Sequence, residues 1–196
     1  MTKKEIRDKY KLKRSQLTEA EIDQLTLLII SQINKNLDLK NKTISIYLPI
    51  KKHKEINTFS LIDTLRLNSN TIAIPKTNFE NYSMVHYVFS SKENLEETKF
   101  GILEPKDGEE VKNSAFDIVF VPLLSLDSKG NRVGYGKGFY DRLLSNCSDK
   151  CIFIGLHLFV EMEEIDDVNE LDIKLDLCIT PKRFIQFNTL KEIPLK

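Results

Sequence analysis

The chain has 196 residues, and its 29 basic and 29 acidic side chains cancel, so retention on nucleic acid by bulk electrostatics is not expected. Its 41% hydrophobic and 30% charged content is that of a single globular domain spanning residues 1–196, long enough to bury a real core. No apolar run approaches membrane-spanning length and the N-terminus lacks the apolar stretch of a secretory signal, which points to the cytoplasm and away from membranes.

Thr2-Lys3-Lys4-Glu5 and Thr18-Glu19-Ala20-Glu21 both have capping-box form, which predicts two N-terminal helices. Ile22, Leu25, Ile29 and Ile33 continue the second at helical spacing. Short apolar runs follow at Thr43 to Leu48, Thr71 to Ile74, Ile118 to Val121 and Leu177 to Thr180, each stopped by a proline (Pro49, Pro75, Pro122, Pro181). Proline lacks an amide hydrogen, so these are expected to be buried strands with sharp ends. Cys151 to Leu156 reads as another buried strand and Met84 to Phe89 as a peripheral one. Helices are expected over Thr58 to Leu67 and from Phe139 to Leu144, while Lys92 to Asn113 is the least regular stretch. Strands alternating with helices predict an α/β domain, a largely parallel central sheet flanked by helices in a Rossmann-like three-layer arrangement.

Charge is unevenly placed along this frame. Seven basic and two acidic side chains occupy the first fourteen residues, and eight acids against Lys174 alone run from Glu161 to Asp176. Each segment reads on its own as a solvated face. Cys147, Cys151 and Cys178 lack paired zinc-type spacing, and Cys151 and Cys178 read as small buried hydrophobes. His53, His86 and His157 show no metal-ligand spacing, so each reads as solvated or core histidine.

The most informative stretch is Val121 to Leu144, which holds Gly130, Gly134, Gly136 and Gly138 interleaved with Arg132, Lys137 and Arg142. Glycines next to cations suggest backbone amides and positive side chains meeting an anion, most simply a phosphate. The stretch lacks the G-x-x-x-x-G-K-[ST] of a P-loop and is not a dinucleotide fingerprint. What remains is a loop-to-helix phosphate cradle, or a plain tight turn. It follows a strand end at Pro122, and Lys51 to Glu55 follows another at Pro49. Ligands of open α/β sheets bind beyond such ends, so the two segments are expected at one cleft.

R-V-G-Y-G-K-G-F-Y-D-R-L-L resembles the signature of the 5-formyltetrahydrofolate cyclo-ligase (methenyltetrahydrofolate synthetase) family. The likeness extends to K-K-E-I-R at the start, Y-L-P with E-I-N-T downstream, G-I-L-E-P at Gly101 to Pro105 and D-I-K-L-D-L-C-I-T-P near the end. Asn57 departs from it, where the family more often has an acid.

The resemblance implies ATP binding by Lys3, Lys4 and Arg7 and by Arg132, Val133, Gly134, Tyr135, Gly136, Lys137, Gly138, Phe139 and Tyr140. It implies folate contacts at Ile50 and Glu55 and magnesium at Asp141 and Asp172, with Asp176 an alternative to the latter. Lys3 and Arg7 lie one helical turn apart and are expected on the same side. Of Phe139 and Tyr140, one ring is expected to pack inward and the other to face a ligand. The implied reaction is ATP-dependent closure of 5-formyltetrahydrofolate to 5,10-methenyltetrahydrofolate by a monomer. Arg132 and Lys137 would be its charge-stabilising catalytic side chains, with ATP as co-substrate and Mg2+ as cofactor. A folate- or nucleotide-binding module without turnover, and a sugar-phosphate or acyl-CoA enzyme, are the competing readings.

Overall fold

The computed structural model describes residues 1–196. Both capping boxes form. Thr2 Oγ1 accepts from the Glu5 amide at 3.3 Å and the Glu5 carboxylate accepts from the Thr2 amide at 2.8 Å; Thr18 and Glu21 repeat the exchange at 3.2 and 2.7 Å. Two of the otherwise orphaned amides at each helix start are thereby satisfied. They open α1 (Lys3–Ser15) and α2 (Glu19–Asn36).

The body follows with β1 (Thr43–Ser45), α3 (Thr58–Arg66), β2 (Thr71–Asn78) and β3 (Ser83–Val88). A small ribbon, β4 (Leu95–Glu97) with β5 (Leu103–Pro105), precedes β6 (Glu110–Val111) and β7 (Ile118–Pro122). A second ribbon, β8 (Ser125–Leu126) with β9 (Arg132–Val133), leads to α4 (Phe139–Ser145). The chain closes with β10 (Ile152–Leu156), β11 (Leu177–Ile179) and β12 (Phe184–Gln186).

Eight strands form the central sheet in the order β12-β11-β10-β7-β1-β2-β3-β6. The five from β11 to β2 are parallel, and the pairs β11–β12, β2–β3 and β3–β6 are antiparallel. From β1 the chain winds outward to β2 on one side, then returns to β7 and winds outward to β10 and β11 on the other. The order therefore reverses between β1 and β7, and a crevice opens beyond their carboxyl ends.

Alternation along the central strands divides the core in two. Ile118, Phe120, Ile152 and Ile154 join Ile29 and Ile33 of α2 and Leu61 and Leu65 of α3. Val119, Val121 and Phe153 join Leu143 and Leu144 of α4 on the opposite face. Three layers are present, but the second face is covered by one short helix plus loops. Cys151 and Cys178 are buried in that second core, as expected.

Several expectations are corrected. Pro75 does not end β2, which runs three residues past it. Ala73 accepts from the Ile46 amide, so by alternation Pro75 turns its nitrogen toward the β1 side, where that strand has already stopped at Ser45. The missing donor therefore breaks no ladder bond. β1 is shorter than Thr43 to Leu48 because Tyr47 and Leu48 leave the ladder to line the crevice. Lys92 to Asn113 is not irregular but carries the β4–β5 ribbon and β6.

The two charged segments are not independent solvated faces either. Lys3 pairs with Asp172, Lys9 with Glu163 at 2.7 Å and Lys13 with Glu161 at 3.3 Å, so the basic helix α1 is fastened along the acidic segment.

Two stability predictions follow from the core. Gly155 lies in the middle of the sheet, and an added Cβ would fall 2.6 Å from Leu175 Cδ1 and 2.7 Å from Leu123 Cδ2. Gly155→Ala is expected to cost about 1–3 kcal/mol by overpacking, read by urea unfolding.

His86 and His157 are fully buried, and burial lowers their pKa to about 4 and about 3. His86 retains a 3.0 Å contact from Nε2 to Ser45 Oγ. Both rings fold neutral and take up a proton more readily when unfolded, so their contribution is present above about pH 6.5 and is lost as pH falls toward the folded values. Between about pH 7 and pH 5 each is expected to remove roughly 2 kcal/mol of stability. Equilibrium unfolding across that range measures it, and His86→Gln should flatten the slope.

Candidate active site

The crevice at the β1/β7 reversal is a cleft of about 540 Å³. Its floor is made by the strand ends: Tyr47, Leu48 and Ile50 after β1, Pro75 and Thr77 of β2, and Pro122 of β7. α1 brings Lys3 and Arg7 to one wall. Arg132 and Gly134 to Asp141 continue that wall, with Asp172 beside Lys3. Glu55 closes the inner end.

The glycines shape this wall. Gly136 and Gly138 have φ of +83° and +72°, a region that side-chain-bearing residues enter at a cost. A Cβ on Gly136 would also lie 3.1 Å from Arg7 Cζ, so only glycine lets the guanidinium lie flat against the loop. Arg7 Nε donates to the Gly134 carbonyl at 2.8 Å, which fixes α1 to the loop at that point.

The cations of the cleft differ in what they are free to do. Arg132 is buried, donates from Nη2 to Asp141 Oδ1 at 2.6 Å and from Nη1 to the Ile173 carbonyl. Lys3 is held by Asp172. Lys137 is exposed and its ammonium group has no partner. An exposed, unpaired ammonium beside open glycine backbone is free to meet an anion.

Glu55 is buried, with 6% of its surface exposed. Its Oε2 accepts from the Ile50 amide at 2.8 Å and its Oε1 from the Tyr135 hydroxyl at 2.7 Å. Burial pushes its carboxyl above the usual range, against the pull of Arg14 and these two donors. Each oxygen keeps a further lone pair, so the carboxylate can accept two parallel donors from a ligand.

The two acids implied for magnesium are neighbours. Ile173, the residue after Asp172, donates its amide to Asp141 Oδ1 at 3.2 Å. Both bonds to Asp141 fall on Oδ1, and both bonds to Asp172, from Lys3 and from the Asn169 amide, fall on Oδ2. Each acid therefore has one uncommitted oxygen. No group of three or more potential metal-binding side chains exists in the chain. That donor set fits magnesium, which keeps waters and takes one or two carboxylates plus phosphate oxygens, and does not fit an all-protein cage. Asp176 is eliminated as a ligand. It is buried and accepts from the Phe153 amide at 2.8 Å, Asn188 at 2.7 Å and Lys191 at 2.9 Å, away from the cleft.

Two expected nucleotide contacts fall away from the cleft. Lys4 sits on the outer side of α1 and is exposed. Val133 is fully buried against Ile6, Tyr10, Leu124 and Ile165, so only its backbone can shape the loop. The remaining residues named from the sequence all line the cleft. Tyr140 is the ring that packs inward, touching both cores. Phe139 turns out to an aromatic cluster, edge-on to Phe79 at 5.6 Å and tilted against Tyr82 at 5.6 Å.

The residues that sequence reasoning missed are Arg14, His53 and Thr77. The His53 ring stacks on Tyr135 with centroids 4.8 Å apart, a contact no motif announces. Arg14 follows Lys3 and Arg7 at helical spacing, and that stripe was the available signal.

Residues 1–181 match the model of the 5-formyltetrahydrofolate cyclo-ligase family. The 5-formyltetrahydrofolate cyclo-ligase of Haemophilus influenzae is 29% identical over 171 residues, covering 85% of this chain and 89% of that protein. The one from Mycoplasma genitalium is 29% identical over 179 residues, covering 90% and 96%. Among solved structures, 5,10-methenyltetrahydrofolate synthetase from Aquifex aeolicus superposes with a TM-score of 0.73 at 28% identity, covering 98% of this chain and 96% of that one. The order of motifs along the sequence, the strand reversal that makes the cleft and these matches agree: the chain belongs to the 5-formyltetrahydrofolate cyclo-ligase family.

Proposed function

We propose that the protein closes 5-formyltetrahydrofolate to 5,10-methenyltetrahydrofolate with hydrolysis of ATP, working as a cytoplasmic monomer. The observation that carries this reading is Tyr135. It belongs to the glycine-cation loop, yet its hydroxyl reaches Glu55 at 2.7 Å, so the loop suited to phosphate and the carboxylate suited to a folate ring share one chamber.

The formamide carbonyl of the substrate is a weak electrophile, and its oxygen cannot leave as oxide. Attack by that oxygen on the γ-phosphorus of ATP expels ADP and leaves an N5-iminium phosphate. N10 adds to the activated carbon and loses its proton, and inorganic phosphate then departs with the former formyl oxygen. The product is the methenyl cation. Such a sequence needs alignment and charge neutralisation rather than a nucleophilic side chain.

Each assigned residue answers one of those needs. Glu55 and Ile50 orient the folate ring from the inner end. Lys3 and Arg7 hold the nucleotide phosphates from α1, and the amides of the loop through Gly134, Gly136 and Gly138 approach them from beside Arg7. Lys137 neutralises charge on the phosphoryl group in flight, with Arg132 as the fixed positive charge behind it. Magnesium held by Asp141, Asp172 and phosphate oxygens would supply further neutralisation at the same place.

The test is direct. Pure protein is incubated with 5-formyltetrahydrofolate, ATP and magnesium, and the methenyl chromophore is followed beside phosphate release. Equal amounts of both are expected. No chromophore, or chromophore without ATP, would overturn the reading.

A further inference from the structure

Arg14 is a buried guanidinium, 3% exposed, that forms no ion pair with any carboxylate. Its Nη2 donates to the Leu123 carbonyl and its Nη1 to the Tyr135 hydroxyl at 3.1 Å, while Nε is buried with no acceptor. A cation taken out of water without a counter-charge is costly enough that one should be sought nearby. Tyr135 supplies the route. Its hydroxyl accepts from Arg14 and donates its own proton to Glu55 Oε1 at 2.7 Å.

We propose that Arg14 is the counter-ion of Glu55, acting through the Tyr135 hydroxyl, and that this bridged pair holds the carboxylate charged and fixed in plane for a two-donor edge of the folate ring. The folate part rests on the function proposed above; the pairing itself does not. Arg14 and Tyr135 are thus positioning residues, distinct from the groups that touch the reacting atoms.

The bridge has a physical rationale. A direct Arg–Glu pair would place the guanidinium fork over the carboxylate and consume the lone pairs that a ligand needs. Interposing one hydroxyl keeps the positive charge close while only one lone pair of Oε1 is used. The Ile50 amide uses one of Oε2, and Glu55 lines the cleft with the rest of its lone pairs uncommitted. The His53 ring lies on Tyr135 and holds it in place from the other side.

The other charged and titratable groups around Glu55 do not substitute for Arg14. Tyr47 and Tyr140 feel its charge but are themselves held protonated by burial. His53 is kept neutral by burial and by Lys52, Lys11 and Arg14. The adjoining hollow that Glu55 also lines carries Lys51, Lys54 and Lys92 against Glu19, Asp23 and Asp63, which oppose one another in sign. Among the charges acting on Glu55, the Arg14 cation opposes the effect of burial.

Arg14→Met and Tyr135→Phe test the proposal in the ligand-free protein and in the assay. A 13C NMR titration of the Glu55 carboxyl should show its midpoint raised by about one unit or more in both variants. Because folate binding needs the charged carboxylate, the KM for 5-formyltetrahydrofolate in Arg14→Met should rise roughly tenfold near pH 6.5 and return toward the wild-type value near pH 9, with kcat little changed. Arg14→Lys should restore part of the shift, and Glu55→Gln should remove the pH dependence.

An unmoved carboxyl midpoint in Arg14→Met, whatever Tyr135→Phe shows, or a KM raised by one factor at every pH, would overturn the pairing. Should Arg14→Met fail to fold, Arg14→Gln, which keeps a donor for the Leu123 carbonyl and removes the charge, takes its place. Should the wild-type protein show no turnover, the function proposed above fails while the NMR midpoint still judges the pair.

Discussion

Lys137→Met is expected to lower turnover by about a hundred- to a thousand-fold at saturating substrates, the loss typical of removing one preorganised charge from a developing anion. The other cations of the cleft each carry a protein contact that Lys137 lacks. Arg132 is committed to Asp141 and the Ile173 carbonyl, Lys3 to Asp172 and Arg7 to the Gly134 carbonyl. Methionine keeps the length and most of the apolar stem, so packing is preserved while the charge is lost. The Lys137 side chain is exposed and unpaired, and the unfolding free energy should therefore stay within about 0.5 kcal/mol of wild type. Single-turnover measurement of ADP formation with folate bound separates the chemical step from nucleotide binding. Unchanged ATP affinity together with unchanged turnover would remove Lys137 from the mechanism.

Glu55→Gln should act on the other substrate. Glutamine can keep its oxygen toward the Ile50 amide and turn its NH2 to the Tyr135 hydroxyl, but it then shows a donor where the free edge of Glu55 shows an acceptor. One of two charge-assisted bonds becomes a donor–donor conflict, and such bonds are worth about 1.5–3 kcal/mol each. The KM for 5-formyltetrahydrofolate should rise about 10- to 100-fold, while the equilibrium affinity for ATP stays near wild type. A loss of ATP affinity of the same size would mean that Glu55 serves the loop, through Tyr135, rather than the folate.

Much of this site was legible before any coordinates. The glycine-cation run was visible because backbone at positive φ beside a ligand leaves a compositional mark, and Gly136 and Gly138 carry it. The helix starts were visible because capping is a four-residue affair. Strand ends were readable except at Pro75, where tolerance of proline depends on what lies on that side of the strand, a property of the neighbour and not of the residue.

What stayed hidden shares one cause. The Arg14–Tyr135 and Tyr135–Glu55 bonds join positions 121 and 80 residues apart, and the lysines of α1 meet acids still further along. No local window contains both partners of such a pair. Val133 shows the converse: a position inside a binding motif can serve the core because alternate residues of a short strand face opposite ways.

The fastening of α1 along the acidic segment also dictates when the site can exist. Lys3, Lys9 and Lys13 find their acids at Asp172, Glu163 and Glu161, so the last fastenings of this helix wait for residues beyond about 160, after Gly134 and Leu123 have offered it its first. During synthesis the helix that carries Arg7 is made first and docked among the last. Its contacts span more of the chain than almost any others, and such contacts form late because the intervening loop must be closed before they repay the entropy. The wall of the cleft that carries Lys3 and Asp172 is therefore finished only when the acidic segment has been made, after the glycine loop is already in place.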